Sequence, residues 1–450
     1  MNDTIVAIST SLGVGAISII RLSGKDSIEI VNSCFKGKDL RKVDTHTINY
    51  GYIIYNNEII DEVLVSVMRA PKTYTTEDIV EINCHGGITS TNKILEIMQL
   101  EGCRLAEPGE FTKRAFLNGR IDLLESESIM DMINSKSEEA RKLSMNGITG
   151  HISNKIESFR EELKKVLSQI EVNIDYPEYY DIEVITEEKI KNIIKKLKEK
   201  LIDLVKDSEN GITIKNGIKT VIVGRPNVGK SSILNKILKE EKAIVTDIEG
   251  TTRDTVEGEI LLDGILLNII DTAGIRKTED KVEKIGVEKS LSKIEEADLV
   301  ILVINGSEEL TETDKKLLEE TKDKTRIIVI NKNDLKNKVN LNNNNNNIVY
   351  TNTLTDEGVL TLVEKIKELF NLEQIKTKDY TYLSNTRQIT LAKQALKNLL
   401  DAEKGIEENL PVDMVEIDLK NCFENLGEII GKNYSNEIID NLFKNFCVGK

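Results

Sequence analysis

Apolar positions recur with different periods along this chain, and the changes of period divide it. From residue 1 to about 119, short β-branched runs (Ile17 to Leu22, Ile59 to Met68, Ile79 to Asn83) alternate with Gly and Pro punctuation. These runs predict strands. A helix is predicted after Gly87, with Ile94, Leu95 and Met98 on its apolar face. The segment reads as a small α+β domain.

From about 120 to 213 the period becomes helical. Ile152, Ile156, Phe159, Leu163, Val166, Ile170 and Ile174 step by three or four, which places them on one face of a long helix that Pro177 ends. A second helix, Glu187 to Lys206, is rich in lysine, and a solvated face explains it more simply than a nucleic-acid surface. From about 214 to 376 strands are predicted at Ile218 to Val223, Leu266 to Ile270, Leu299 to Ile304, Arg326 to Ile330 and Ile348 to Tyr350. Their short spacing implies parallel βαβ units in a doubly wound sheet. Helical texture returns from 377 to Lys450. The expected fold is therefore multidomain, α/β plus α. It has an N-terminal α+β domain (1–119) and a helical domain in two parts (120–213 and 377–450), with an α/β domain (214–376) inserted between them. The run Asn342 to Asn347 reads as an expanded surface loop.

Composition narrows the function. The 450 residues, at about 150 per domain, suit roughly three domains. With 39% hydrophobic and 30% charged residues the chain can bury sizeable cores. Aromatics are 4% and Trp is absent, which argues against a stacking platform for single strands. A net charge of −15 argues against coating nucleic acid by bulk charge. The five cysteines (Cys34, Cys84, Cys103, Cys422, Cys447) form no CxxC, and three histidines are too few for a dedicated transition-metal site. The N-terminus lacks a signal-peptide pattern, and the mid-chain apolar run Leu299 to Ile304 is too short to cross a bilayer. A reduced cytoplasmic protein without a membrane anchor is expected.

The chemistry sits at strand ends. Gly224-Arg225-Pro226-Asn227-Val228-Gly229-Lys230-Ser231 fits GxxxxGK[ST] directly after a predicted strand, and Ser232 continues it. Backbone N–H groups of such a loop wrap phosphates, Lys230 reaches the β and γ oxygens, and Ser231 can hold Mg²⁺. Asp271-Thr272-Ala273-Gly274 ends the next apolar strand, where a carboxylate can hold the Mg²⁺ shell and the Gly274 N–H can sense a γ-phosphate. Asn331-Lys332-Asn333-Asp334 ends another, and an ionised Asp334 would accept the N1–H and N2 amino group of guanine. Three motifs in this order predict a P-loop GTPase domain.

Ile275 stands where many GTPases place a water-orienting Gln, so catalytic help must come from elsewhere. Glu283 could position water. Asn227 offers a carbonyl to a cation beside the phosphates, although a turn residue is an equal reading. The segment Thr246 to Thr252, with Asp247, Ile248, Gly250 and Thr251, offers backbone oxygens and the Thr252 hydroxyl.

The whole pattern resembles the MnmE (TrmE) family of tRNA-modification GTPases over nearly the full length. The resemblance is carried by Asp3-Thr4-Ile5-Val6-Ala7, Arg21-Leu22-Ser23-Gly24, the run Glu81 to Gly87, Pro108-Gly109-Glu110-Phe111-Thr112 and Arg114-Ala115-Phe116-Leu117-Asn118. The three nucleotide motifs and the final Phe446-Cys447-Val448-Gly449-Lys450 complete it. It implies an N-terminal domain that binds 5-formyl- or 5,10-methylene-tetrahydrofolate and mediates homodimerisation, and GTPase domains that pair transiently in a K⁺-dependent way. It also implies a heterocomplex with MnmG (GidA), the partner that carries FAD. Together they would install an aminomethyl or carboxymethylaminomethyl group at C5 of the wobble uridine of certain tRNAs.

By the same resemblance, folate contacts fall to Arg21, Glu81, Arg120 and Lys450. K⁺ ligation falls to Asn227, Thr246, Ile248 and Thr251, Mg²⁺ to Ser231 and Thr252, water orientation to Glu283, and a functional thiol to Cys447. Three features depart from the family pattern: Ser11 to Gly15 is poorer in glycine and lacks an arginine, Arg120 replaces a usual lysine, and Asn352-Thr353-Leu354 stands in place of a Ser-Ala-Lys-like guanine-support motif. A competing expectation of another class is a GTP-switched binding factor in ribosome assembly, which would need neither Arg21, Glu81 nor the Cys447 tail.

Overall fold

The computed structural model describes residues 3–175, 187–240, 256–262, 264–270, 293–341, 347–352, 355, 358–370, 381–432, 434, 436–446 and 448–449. The first strands and helices are β1 (Ile5–Ile8), β2 (Ile17–Ser23), α1 (Ser27–Ser33), β3 (Phe35–Lys36), β4 (Thr47–Tyr55), β5 (Glu58–Met68), β6 (Ile79–His85), α2 (Ile88–Leu100) and β7 (Arg104–Leu105). Helices α3 (Glu110–Leu117), α4 (Leu123–Asn134), α5 (Glu138–Ile148), α6 (His151–Asp175) and α7 (Glu187–Asn216) follow. Then come β8 (Ile218–Val223), α8 (Lys230–Glu240), β9 (Val256–Leu262), β10 (Ile265–Ile270), β11 (Leu299–Asn305), α9 (Glu312–Glu320), β12 (Arg326–Asn331), β13 (Ile348–Thr351) and α10 (Val359–Leu369). The chain closes with α11 (Thr386–Glu407), α12 (Val412–Ile429) and α13 (Asn436–Phe443).

Two compact units result, each assembled from separated stretches. One comprises Met1–Met130, Ile148–Ile185 and Leu410–Lys450; the other comprises Asp131–Gly147 and Thr186–Asn409.

In the first unit a seven-stranded sheet runs β3-β4-β5-β6-β2-β1-β7, antiparallel except for the β1–β7 pair. Period-two burial builds its core: Val63, Val65 and Val67 of β5 point inward with Ile20 and Leu22 of β2 and Ile82 and Cys84 of β6. Helix α2 covers this face with Ile94, Ile97 and Met98, while Leu95 is partly buried against it. Glu81, Asn83 and His85 alternate onto the other side of β6. Helix α6 packs on α12, with Ile152, Ile156, Phe159, Leu163, Val166 and Ile170 buried. Ile174, expected to continue that stripe, is exposed, because it lies in the last turn of the helix.

In the second unit a six-stranded sheet runs β13-β12-β11-β8-β10-β9. It is parallel as expected except for β9, an antiparallel edge strand on β10 that the apolar pattern did not predict. Gly258 and two glutamates interrupt its periodicity. Apolar side chains cover both faces, Ile301, Val303 and Val329 on one and Leu302, Ile304 and Ile330 on the other. Helix α7 continues ten residues past the expected end at Lys206. Its final stretch has Gly211 and β-branched residues, poor helix formers, but Ile214 joins the sheet's core and Gly211 lies against Tyr382 and Leu383. Packing overrides local propensity there. Helix α11 packs on α7, so the helical texture after the α/β segment pairs with the texture before it. Among the described residues no helix is long and apolar enough to cross a membrane.

Candidate functional site

The phosphate-loop motif leaves the end of β8 and enters α8 at Lys230. Between them Gly224, Asn227 and Gly229 take positive φ values of 151°, 61° and 102°, so the backbone wraps instead of extending. The Lys230 ammonium donates to Gly224 O at 2.7 Å and Arg225 O at 2.8 Å. Burial lowers its pKa below the ordinary lysine value, since two neutral carbonyls offset lost hydration only in part. An anionic phosphate is a partner that would favour the charged form further. Ser231 is half-buried in the first turn of α8, whereas Asn227 and Ser232 are exposed.

Asn331 fastens this loop from behind. Its buried amide donates Nδ2–H to Val228 O at 2.8 Å, and its Oδ1 accepts from the Thr351 hydroxyl at 3.2 Å. Only glycine fits opposite: a Cβ on Gly229 would lie 2.1 Å from Asn331 Nδ2. Lys332 follows with φ 64°, and the Asn333 N–H donates to Thr351 O, leaving Asp334 exposed beyond the sheet edge. The loop and the Asn331-Lys332-Asn333-Asp334 motif are thus one hydrogen-bonded body. Asn352, at the departing guanine-support motif, follows directly after β13 and is buried. Thr246, Asp247, Ile248, Gly250, Thr251, Thr252, Asp271, Thr272, Ala273, Gly274 and Glu283 lie outside the described residues, as do Thr353 and Leu354.

The other unit gathers a second cluster. Arg21 on β2 is in register with Glu81 on β6, and its Nε donates to Glu81 Oε1 at 2.8 Å. Its Nη1 donates to Gly449 O at 3.3 Å, which also accepts from the Ser9 hydroxyl at 3.1 Å. The Arg120 guanidinium lies 4.7 Å from the centre of the Tyr74 ring, which Arg21 also approaches at 5.9 Å. The Tyr74 hydroxyl shares a 2.8 Å hydrogen bond with Thr112. Two of the four expected folate contacts, Arg21 and Arg120, therefore approach one tyrosine, and a third, Glu81, is paired with Arg21. Lys450 and Cys447 are outside the described residues, but their neighbours Phe446 and Gly449 are held. Phe446 packs on Phe443 with ring centroids 4.8 Å apart and lies against Gly109.

Two comparisons bear on these clusters. The model described as "GTP-binding protein TrmE N-terminus" matches residues 4–120, and the one described as "MnmE helical domain" matches residues 123–447. The chain belongs to the MnmE family of tRNA modification GTPases.

Curated MnmE relatives match end to end. The tRNA modification GTPase MnmE of Streptococcus thermophilus (strain CNRZ 1066) is 50% identical over 449 residues, which covers 100% of this chain and 98% of that protein. That of Ligilactobacillus salivarius (strain UCC118) is 50% identical over 455 residues, with the same coverage.

Within this MnmE-family chain, sequence reasoning missed Tyr74, Ser9 and Arg225. Tyr74 stands in a Thr-rich loop with no periodicity to mark it. Arg225 falls at a variable position of the phosphate-loop pattern, so the pattern says nothing about its side chain.

Proposed function

We propose that this chain is a K⁺-dependent GTPase. With an FAD-containing MnmG partner, it would place an aminomethyl or carboxymethylaminomethyl group on C5 of the wobble uridine of tRNAs. The observation that carries the reading is the coexistence in one chain of a braced phosphate loop and the Arg21–Glu81–Arg120–Tyr74 cluster at the C-terminal tail. A GTP-switched ribosome assembly factor would account for the first and leave the second without a task.

In this reading GTP binds with its phosphates in the wrapped loop, where Lys230 moves from the Gly224 and Arg225 carbonyls to the β and γ oxygens. Ser231 and Thr252 would hold Mg²⁺, which would offset the phosphate charge. Asn227, with Thr246, Ile248 and Thr251, would hold K⁺, whose charge would serve the purpose of an arginine finger. Asp271 to Gly274 sense the γ-phosphate, and Asp334 reads the guanine edge beside Asn331 and Lys332. Glu283 orients the attacking water, the task Ile275 cannot perform. The GTPase domains pair transiently and K⁺-dependently within a homodimer joined through the N-terminal domains, and hydrolysis to GDP and phosphate drives the cycle.

The second cluster fits tetrahydrofolate by its chemistry. Its carboxylate, Glu81, suits the amino edge of a pterin, and Arg21, Arg120 and Lys450 suit the glutamate tail. When bound, the folate supplies the one-carbon unit. Tyr74 offers a ring face beside both guanidinium groups.

Nucleoside analysis of tRNA tests the reading. Cells lacking the gene should lose C5-modified wobble uridine and regain it with the wild-type gene; unchanged modification rules the assignment out. GTP turnover should fall by at least about tenfold when NaCl replaces KCl, as expected for loss of a cation beside the transferring phosphate. Equal rates would remove K⁺ from the mechanism.

A further inference from the structure

Arg225 occupies the second position of the phosphate loop, where a guanidinium could be expected to face the phosphates. It is turned elsewhere. Its Nε donates to the Asp314 carboxylate, at 3.1 Å to Oδ1 and 2.9 Å to Oδ2, and its Nη2 reaches Glu308 Oε2 at 3.0 Å. Asp314 is fully buried and is already engaged at the start of α9, where it and Thr311 form a reciprocal capping box. Glu308 is held on its other oxygen by Asn305 Nδ2 at 2.7 Å. Asn305 ends β11 in register with Asn331, and the Gly306 N–H donates to Asn331 O at 2.8 Å. Asn331 in turn holds Val228 O.

The contacts form a closed circuit: Arg225, Asp314 and Glu308, Asn305, Asn331, Val228 and back through the loop. We propose that Arg225 is a positioning residue for nucleotide binding. By anchoring the entry of the phosphate loop to the start of α9, it fixes the carbonyl that parks Lys230, while Asn331 fixes the loop's other shoulder. The Arg225 carbonyl accepts Lys230 at 2.8 Å, so a displaced Arg225 moves the lysine with it. Two fixed shoulders keep the N–H groups convergent, which lowers the ordering needed when phosphates arrive. Arginine suits the task because its fork reaches two carboxylates at once, and lysine would engage one.

This inference rests on the GTP-binding reading, and the test separates the two. Wild-type, Arg225→Gln, Arg225→Lys and Glu308→Gln full-length proteins are compared for fluorescent GDP dissociation rate, GTP KM, kcat and melting temperature. Arg225→Gln should raise KM and the GDP dissociation rate about three- to thirtyfold while kcat stays within about twofold. Arg225→Lys should recover part of the loss. Glu308→Gln, a change at an exposed partner, should give a smaller shift in the same direction, and a further variant carrying both changes should shift by less than the sum of Arg225→Gln and Glu308→Gln. Should Arg225→Gln fail to fold, the Glu308→Gln shift alone decides. A lowered melting temperature with unchanged KM and dissociation rate in the variants would make Arg225 merely structural and overturn the proposal. A wild-type protein that binds no guanine nucleotide would instead overturn the reading beneath it.

Discussion

His85 meets one carboxylate twice. Its ring Nδ1 is 2.6 Å from Asp61 Oδ1 and its backbone N–H donates to Asp61 Oδ2 at 2.9 Å, an oxygen that also accepts from Ser90. The hydrogen bond with Asp61 raises the His85 pKa above the ordinary histidine value. Burial works to raise that of Asp61, but the hydrogen bonds from His85 and Ser90 outweigh it and the pKa is lowered. The signs set a window. A raised histidine contributes stability below its unfolded pKa of about 6.5 and loses it as pH climbs through the folded value. A lowered aspartate contributes above its unfolded pKa of about 4 and loses it as pH falls through the folded one. The ion pair is therefore worth most between these limits. In Asp61→Asn, NMR titration should find the His85 pKa moved down toward the ordinary value. The stability deficit of that variant in urea should be larger at pH 5.5 than at pH 8. An unmoved His85 titration would show that Asp61 does not hold its proton.

At the scale of elements, the hairpin β9–β10 shows what a sequence pattern conveys and what it leaves out. Strands buried on both faces, such as β11 and β12, read as unbroken apolar runs because every side chain meets a core. The edge strand β9 carries polar residues between its apolar ones and was missed. The phosphate loop was legible because its chemistry is local, eight residues between a strand and a helix. The partners of Arg225 were not, since Glu308 and Asp314 lie 83 and 89 residues further on. Helix α5 was equally hidden: Ala140 and Leu143 join the core of the α/β sheet although the helix precedes it by some seventy residues. Its Glu139 sits over the β9–β10 turn, where Gly264 has φ 91° and an added Cβ would lie 2.1 Å from Glu139 Oε2. That oxygen is buried without a hydrogen-bond partner among the described residues. Gly264→Ala should destabilise the protein by about 1–3 kcal/mol in chemical denaturation, through both clash and backbone strain. Glu139→Ala in the same chain should return part of the loss; an additive pair would mean that the two do not touch.

On the whole molecule, the cores take up four of the five cysteines. Cys34, Cys84, Cys103 and Cys422 are buried, and burial pushes their thiols up, to about 11 for Cys34 and about 12 for Cys103 and Cys422. They are poor nucleophiles at neutral pH, which leaves Cys447 as the remaining cysteine of the five. Cys447→Ser should keep steady-state GTP turnover within about twofold while C5-modified uridine disappears from tRNA. Retained modification would deny the thiol a chemical part. The tail that carries Cys447 also bears on how the molecule assembles. The bond from Arg21 to Gly449 spans 428 residues, and closing so long a loop in one step is entropically unfavourable. Once the seven-stranded sheet has formed, α6 and α12 have paired and Phe446 rests on Gly109, the loop left to close runs three positions along the chain instead of 428. By the logarithmic dependence of closure entropy on length, that anchoring lowers the final step by roughly 4 kcal/mol. A contact between opposite ends of the sequence thus behaves, late in folding, as a local one.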